Sequence, residues 1–340
     1  MAATDPTMLY RLRDGVYAPD LLIVAIAELD LFTLLLEHGG LDGQRLCAEL
    51  DLDVRAADVM VTYFVALGLL ERGPGGCIRI SRTAADHLVA GSHVDLRAYF
   101  GSLKERPACA ELLSVLRTGE PAAWASAAAD EDWEVRLGDL GFAKRITAAM
   151  DARGAFLGPA LALALADIPA RRRVLDMGGS SGVYACALVD RKPELRATVF
   201  ERAPVDQAAR TLLADRGYSD RVEVTSGDMF LDPLPAGHDL HLFSHVLHDW
   251  SEEQVRHLLS ASFEALPPGG WLVDHDAHIN ATKTGPLPIA EYSVLLMHST
   301  PGKCWSVGEL AGLLQEAGFV VIDCRPTAAD RTAIVARRPD

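Results

Sequence analysis

The sequence predicts an α/β chain in two parts, an all-α region with a winged-helix arrangement followed by a doubly wound parallel sheet. Three observations carry this. Apolar residues recur at helical spacing through most of the first 170 residues, short apolar strands alternate with helices from residue 173, and the first of those strands runs into a glycine-rich turn. With 340 residues, 49% of them apolar, the chain can bury one large core or two medium ones.

Residues 20 to 38 carry Leu22, Ile23, Ile26, Leu29, Phe32 and Leu36 at helical spacing, and Gly39-Gly40 supplies a stop. Residues 46 to 50 form a shorter helical pattern that breaks at Asp51-Leu52-Asp53. A second runs from Ala56 to Leu67, and Cys77-Ile78-Arg79-Ile80 then reads as a short hairpin strand. Helix, turn, helix, wing is a DNA-binding arrangement in many proteins. Here Asp51, Asp53 and Asp58 surround the second helix and leave little positive charge for phosphates, so a subunit interface is the better reading. Residues 95 to 170 stay helical and read as a connector, with a loose patch at 122 to 129 and a Pro-Ala-Arg-Arg-Arg turn at 169 to 173. The expected domains are 1–94, 95–170 and 171–340. Strands are expected at residues 173–176, 197–200, 222–224, 240–243, 271–273, 320–322 and 332–335.

Charge and cysteine usage narrow the function. Forty-seven acidic against 32 basic side chains give a net charge of −15, which repels phosphate backbones and anionic lipid, so nucleic acid and membrane are not expected as partners. No apolar run approaches the roughly 18 residues of a membrane span, and the start has no basic-then-apolar leader pattern, so a cytoplasmic location is expected. Six scattered cysteines without a Cys-x-x-Cys suggest neither disulfides nor a thiolate metal site.

The ligand signals sit at strand ends. Asp176-Met177-Gly178-Gly179-Ser180-Ser181-Gly182 lets a ligand approach the backbone and presents a helix start, yet lacks the full G-x-G-x-x-G spacing of a dinucleotide site. Glu201, in Phe200-Glu201-Arg202, lies 19 residues beyond Gly182, where a carboxylate accepts both hydroxyls of a ribose. Gly227-Asp228-Met229-Phe230 follows the third strand with an acidic group and apolar side chains suited to adenine. Three such loops at successive strand ends face one crevice in an open α/β sheet.

These loops, together with Phe243-Ser244-His245-Val246-Leu247-His248-Asp249-Trp250-Ser251-Glu252-Glu253, resemble the small-molecule O-methyltransferase family of plant caffeic acid and bacterial polyketide enzymes. The resemblance extends to residues 27–32 and 66–71, to Ala148-Ala149-Met150 and to Ala317-Gly318-Phe319. It implies a Rossmann-like class I methyltransferase domain preceded by an all-α winged-helix-like dimerisation domain, a homodimer, S-adenosyl-L-methionine as cofactor with S-adenosyl-L-homocysteine as product, and no metal. By the same resemblance, the loop with Asp176, Gly178, Gly179 and Gly182 holds the methionine part, Glu201 the ribose, and Asp228 with Met229 the adenine, with Arg202, Gly227 and Phe230 also at cofactor-binding positions. Ser244, His245 and Trp250 complete the cofactor site. His248 matches the general base, with Asp249 beside it, and Met150 and Met297 match positions that clamp an aromatic acceptor. Two departures stand out. Ser244 occupies the place of a lysine that reaches the cofactor carboxylate in plant members, and Cys304 the place of an acidic residue that orients the base, with Glu309 nearby on the next helix.

Methyl transfer from a sulfonium is a direct displacement that needs alignment and an electron-rich acceptor atom, and no metal. A histidine suits a phenol as base because the sulfonium charge lowers the phenol's pKa. His275 and His278 flank Asp276 and lie close to Asp274, a pattern also open to a metal site, while His298 beside Met297 is placed to hydrogen-bond a ring substituent. The expected function is O-methylation of a small phenolic acceptor in secondary metabolism. Ring C-methylation ortho to a phenol, on a hydroxylated aromatic amino acid or a kynurenine-like compound, is the alternative. A catalytically silent cofactor-binding or regulatory protein is the alternative of another class.

Overall fold

The structure is a computed structural model that describes residues 4–122, 138–168 and 173–340. The loose patch expected at 122 to 129 and the turn at 169 to 173 fall almost wholly outside these residues. The chain forms two compact units. One comprises Leu9–Ala122 with Ile279–Ser306, the other Met1–Met8, Ala123–His278 and Val307–Asp340. These borders differ from the three domains expected. The connector region is divided near residue 122, and a segment far along the chain, Ile279–Ser306, packs with the N-terminal helices because its helix Leu287–Ser299 is apolar on nearly all sides.

In the helical unit the stretch expected as one helix at 20 to 38 is two, Ala18–Ala27 and Leu31–Glu37. Asp30 breaks it, adopting φ 41° while its carboxylate accepts from the Thr33 hydroxyl at 2.6 Å, a local bond that competes with helix continuation. Helices Gly43–Leu50 and Val54–Ala66 follow, capped by Asp42 and Asp53, which accept from the backbone N–H groups of Arg45 and Ala56. Strands β1 (Leu70–Arg72) and β2 (Ile78–Ile80) pair as the expected wing.

The would-be recognition helix is buried. Ala56, Val59, Met60, Val61 and Phe64 are enclosed by the unit's own core, and Asp58 is ion-paired to Lys283 at 2.9 Å and Lys303 at 2.7 Å. A helix packed on this face cannot enter a DNA groove.

In the other unit, seven strands form one sheet. They are β3 (Arg173–Met177), β4 (Arg196–Glu201), β5 (Val222–Ser226), β6 (Leu240–Ser244), β7 (Trp271–Asp276), β8 (Val320–Pro326) and β9 (Thr332–Arg337), in the order β5-β4-β3-β6-β7-β9-β8. All seven expected strands form. The sheet is not wholly parallel, because β9 runs antiparallel to both β7 and β8. A hairpin connection, Thr327 to Arg331, is too short for a crossover and forces the reversal. The register aligns the C-terminal ends of the parallel strands: Met177 pairs with Phe200 and Phe243, Glu201 with Ser226, and Ser244 with His275. Every site loop therefore leaves the same edge. The long helix Leu140–Ala164 lies against helix Val183–Arg191 where Gly154 and Gly158 allow close approach to Val183 and Ala187.

Candidate active site

The glycine-rich loop begins at β3. Asp176 is fully buried with the Ala185 backbone N–H facing its carboxylate, and burial pushes its pKa up to about 7. Gly179 is required next to it, since a Cβ there would sit 2.6 Å from the Asp176 carboxyl carbon. Gly182 caps the next helix at φ 73°, a left-handed position that disfavours other residues. From β4, Glu201 accepts from the backbone N–H of Ser180 at 3.0 Å and of Arg202 at 2.9 Å, one on each oxygen. Each oxygen keeps a second lone pair, so the carboxylate can still accept two hydroxyls. At β5, Asp228 Oδ1 accepts from Phe230 N–H at 2.8 Å, and Gly227 and Met229 shape the same turn. The Phe230 ring meets Trp250 edge-on at 4.7 Å, which brings the β5 and β6 loops together as an apolar wall. These orphaned or half-used acceptors beside a cradle that a side chain at residue 179 would fill fit an adenosyl ligand with a ribose diol.

His248 stands in the turn Leu247–Asp249 after β6 and is 3% exposed. Its Nδ1 lies 2.7 Å from Asp276 Oδ1, and its Nε2 3.5 Å from Asp249 Oδ1. Burial alone would lower the His248 pKa, but the Asp276 and Asp249 carboxylates outweigh it and the pKa is raised. Asp276 in turn is held well below the usual carboxylate range, its burial outweighed by His248 and His245. The acidic partner that Cys304 could not supply is thus Asp276, at the end of β7.

Several expected residues sit differently from expectation. Ser244 is 7% exposed and its hydroxyl pairs with His275 Nδ1 at 2.9 Å, so any ligand contact would share that hydroxyl with the imidazole. His275 Nε2 meets Thr327 at 3.1 Å, and His278 pairs with Thr332 at 2.6 Å and Asp274 at 2.7 Å. With both ring nitrogens engaged in each case, the metal pattern at residues 274 to 278 is a structural network. His298 belongs to the helical unit. Its nitrogens hold Glu111 at 2.8 Å and Ser299 at 3.0 Å, and its ring stacks on Tyr17 at 3.9 Å, so a ring substituent would have to displace existing partners. In the same unit Met297 and Cys304 are buried, and the Cys304 N–H donates to the Ser293 hydroxyl at 3.1 Å. Met150 is half-buried on helix Leu140–Ala164.

One further residue was not singled out from the sequence. Arg153, one turn beyond Met150, acts through its charge on Tyr184, His245, His248, Asp249 and His275 together. On a helix that also carries Lys144, Arg145 and Asp151, nothing in the sequence set Arg153 apart. It places a cation at the end of the site where Ser244 offers none.

A family model for an O-methyltransferase domain matches residues 110–320. The chain belongs to the O-methyltransferase family. It is 30% identical to the 3-hydroxy-5-methyl-1-naphthoate 3-O-methyltransferase of Streptomyces sahachiroi, over 92% of this chain and 89% of the relative. Among solved structures, an O-methyltransferase family 2 protein from Planctomyces limnophilus in complex with apigenin is similar with a TM-score of 0.87 and 30% identity, over 99% of this chain and 97% of that one. The human N-acetylserotonin methyltransferase in complex with S-adenosylmethionine shares the fold, with a TM-score of 0.62 and 24% identity over the whole of both chains. The methyltransferase described here is an S-adenosylmethionine-dependent enzyme of the Rossmann-like class I type.

Proposed function

We propose that the enzyme methylates a phenolic oxygen of a small aromatic acceptor, with His248 as the general base. The observation that carries this is the 2.7 Å contact between His248 Nδ1 and Asp276. A carboxylate accepts, so it fixes the proton on Nδ1 and leaves the lone pair on Nε2, the arrangement of an oriented base. Proton transfer from an ordinary phenol to an ordinary histidine is uphill by roughly 5 kcal/mol. Raising His248 narrows that gap from the protein's side.

When bound, S-adenosylmethionine supplies an activated methyl group on a sulfonium sulfur. Glu201 would hold its ribose, the turn of Gly227, Asp228, Met229, Phe230 and Trp250 its adenine, and the loop from Asp176 to Gly182 its methionine part. Arg153 is the cation this end of the site offers to the carboxylate. The S. sahachiroi relative, named for methylating a hydroxynaphthoate oxygen, supports a phenolic acceptor. Screening hydroxylated aromatics by mass spectrometry and locating the new methyl by NMR tests the reading. A methyl on a ring carbon would move the assignment from oxygen to its ortho position, with the same base.

A homodimer and a cytoplasmic location complete the proposal. Leu9, Leu12, Val16 and Tyr99 of the helical unit are each more than half exposed, while the helices Ala18–Ala27, Leu31–Glu37 and Val54–Ala66 largely bury their apolar faces within the chain. All six cysteines are free thiols, as suits a reducing compartment. No helix among the described residues is long and apolar enough to cross a membrane.

A further inference from the structure

His245, three residues before His248, is 5% exposed; its Nε2 has no hydrogen-bond partner among the described residues, and its Nδ1 faces Asp276. It is also held at φ 58°, a left-handed conformation unfavourable for a non-glycine residue, with its N–H donated to the His275 carbonyl. That conformation turns its Nδ1 to within 3.3 Å of Asp276 Oδ1, the same oxygen that His248 Nδ1 approaches at 2.7 Å. The other Asp276 oxygen is buried with no partner among the described residues. One ligand atom from each of the three side chains lies within 4.8 Å of the others.

We propose that His245, His248 and Asp276 form a binding site for a borderline divalent transition ion such as zinc or cobalt, and that filling it switches methyl transfer off. Two imidazoles and one carboxylate suit such ions rather than magnesium or calcium, which prefer all-oxygen shells. With metal–ligand bonds of about 2.0 to 2.2 Å, tetrahedral ligand atoms stand roughly 3.3 Å apart. The His245 pair already has this spacing, and the His248 pair needs to open by about half an ångström. The fourth position is left for water. Arg153 and Arg331 act through their charge on His245, and Asp249 faces both Arg153 and Asp276.

The ion also accounts for inhibition. Taking Nδ1 of His248 forces the ring's remaining proton onto Nε2, which removes the lone pair that serves as the base. Binding itself does not depend on His248 being the base; the inhibitory consequence rests on that reading.

The test uses untagged, chelator-stripped enzyme. Titration with Co²⁺, read by visible absorption, and with Zn²⁺, read by calorimetry, should show one ion per chain, weakened at least about tenfold in His245→Gln. Asp276→Asn is the second variant should the first not fold, with circular dichroism and thermal unfolding as folding controls. Zn²⁺ should stop single-turnover methyl transfer, and chelator should restore it. No stoichiometric binding, or equal binding by the variants, overturns the site. Stoichiometric, His245-dependent binding with turnover unchanged overturns the inhibition and His248 as base, while the site stands.

Discussion

At the residue scale, the proposed chemistry depends on a few buried charges. His248→Ala should slow single-turnover methyl transfer by about 10² to 10⁴ and leave cofactor affinity within a few-fold; retention of more than a tenth of the rate would reassign His248 to packing. The pH dependence has a definite sign. His248 must be neutral to act as base and its pKa is raised, so turnover should rise with pH through a range above that of an ordinary histidine. Asp276→Asn removes the chief opposing carboxylate, so the inflection should move to lower pH while the rate falls by up to about 10⁴, the scale seen when a histidine base loses its orienting carboxylate. A pH–rate profile of both proteins decides this. Glu201→Ala should weaken cofactor binding by about 1 to 3 kcal/mol in calorimetry, through lost hydrogen bonds to the ribose.

Helices and strands act by where they place these groups. Arg153 is carried by the helix Leu140–Ala164, whose approach to helix Val183–Arg191 relies on Gly154: an added Cβ would overlap Cγ1 of Val183. Gly154→Ala should therefore destabilise by about 1 to 3 kcal/mol in denaturant unfolding and lower turnover by shifting Arg153. Gly312, in the helix Val307–Glu316, has open space around it, so Gly312→Ala should stabilise by up to about 1 kcal/mol. Equal effects at the two sites would show that helix packing does not control this region. The strands were legible because β3, β4, β6 and β9 are short, apolar and bounded by turns. The break at Asp30 was not, because the apolar spacing continues through it and only a side-chain bond to Thr33 interrupts the helix.

Across the whole molecule, charge and exposed apolar surface govern what the enzyme meets. A net charge of −15 and a buried second helix in the winged module predict no retention on DNA at physiological salt. The exposed Leu9, Leu12, Val16 and Tyr99 predict a dimer in light scattering at micromolar concentration, disrupted by Leu12→Asp with Tyr99→Asp. A monomeric native protein would leave these side chains without a partner and refute the dimer.

What the sequence by itself determined are the features encoded locally: helix and strand periods, the glycine-rich turn, the carboxylates Glu201 and Asp228 at strand ends, and the His-Asp-Trp run that holds His248. Tertiary structure decided the features that depend on which strands and helices become neighbours. Asp276 partners His248 only because β7 lies beside β6, and a residue 28 positions further along the chain is brought within 2.7 Å. Ser244 and His275 neutralise each other's hydrogen-bonding needs for the same reason. Local spacing carries no information about strand order, and in a closely packed interior that order sets which polar groups meet and so which one orients the base.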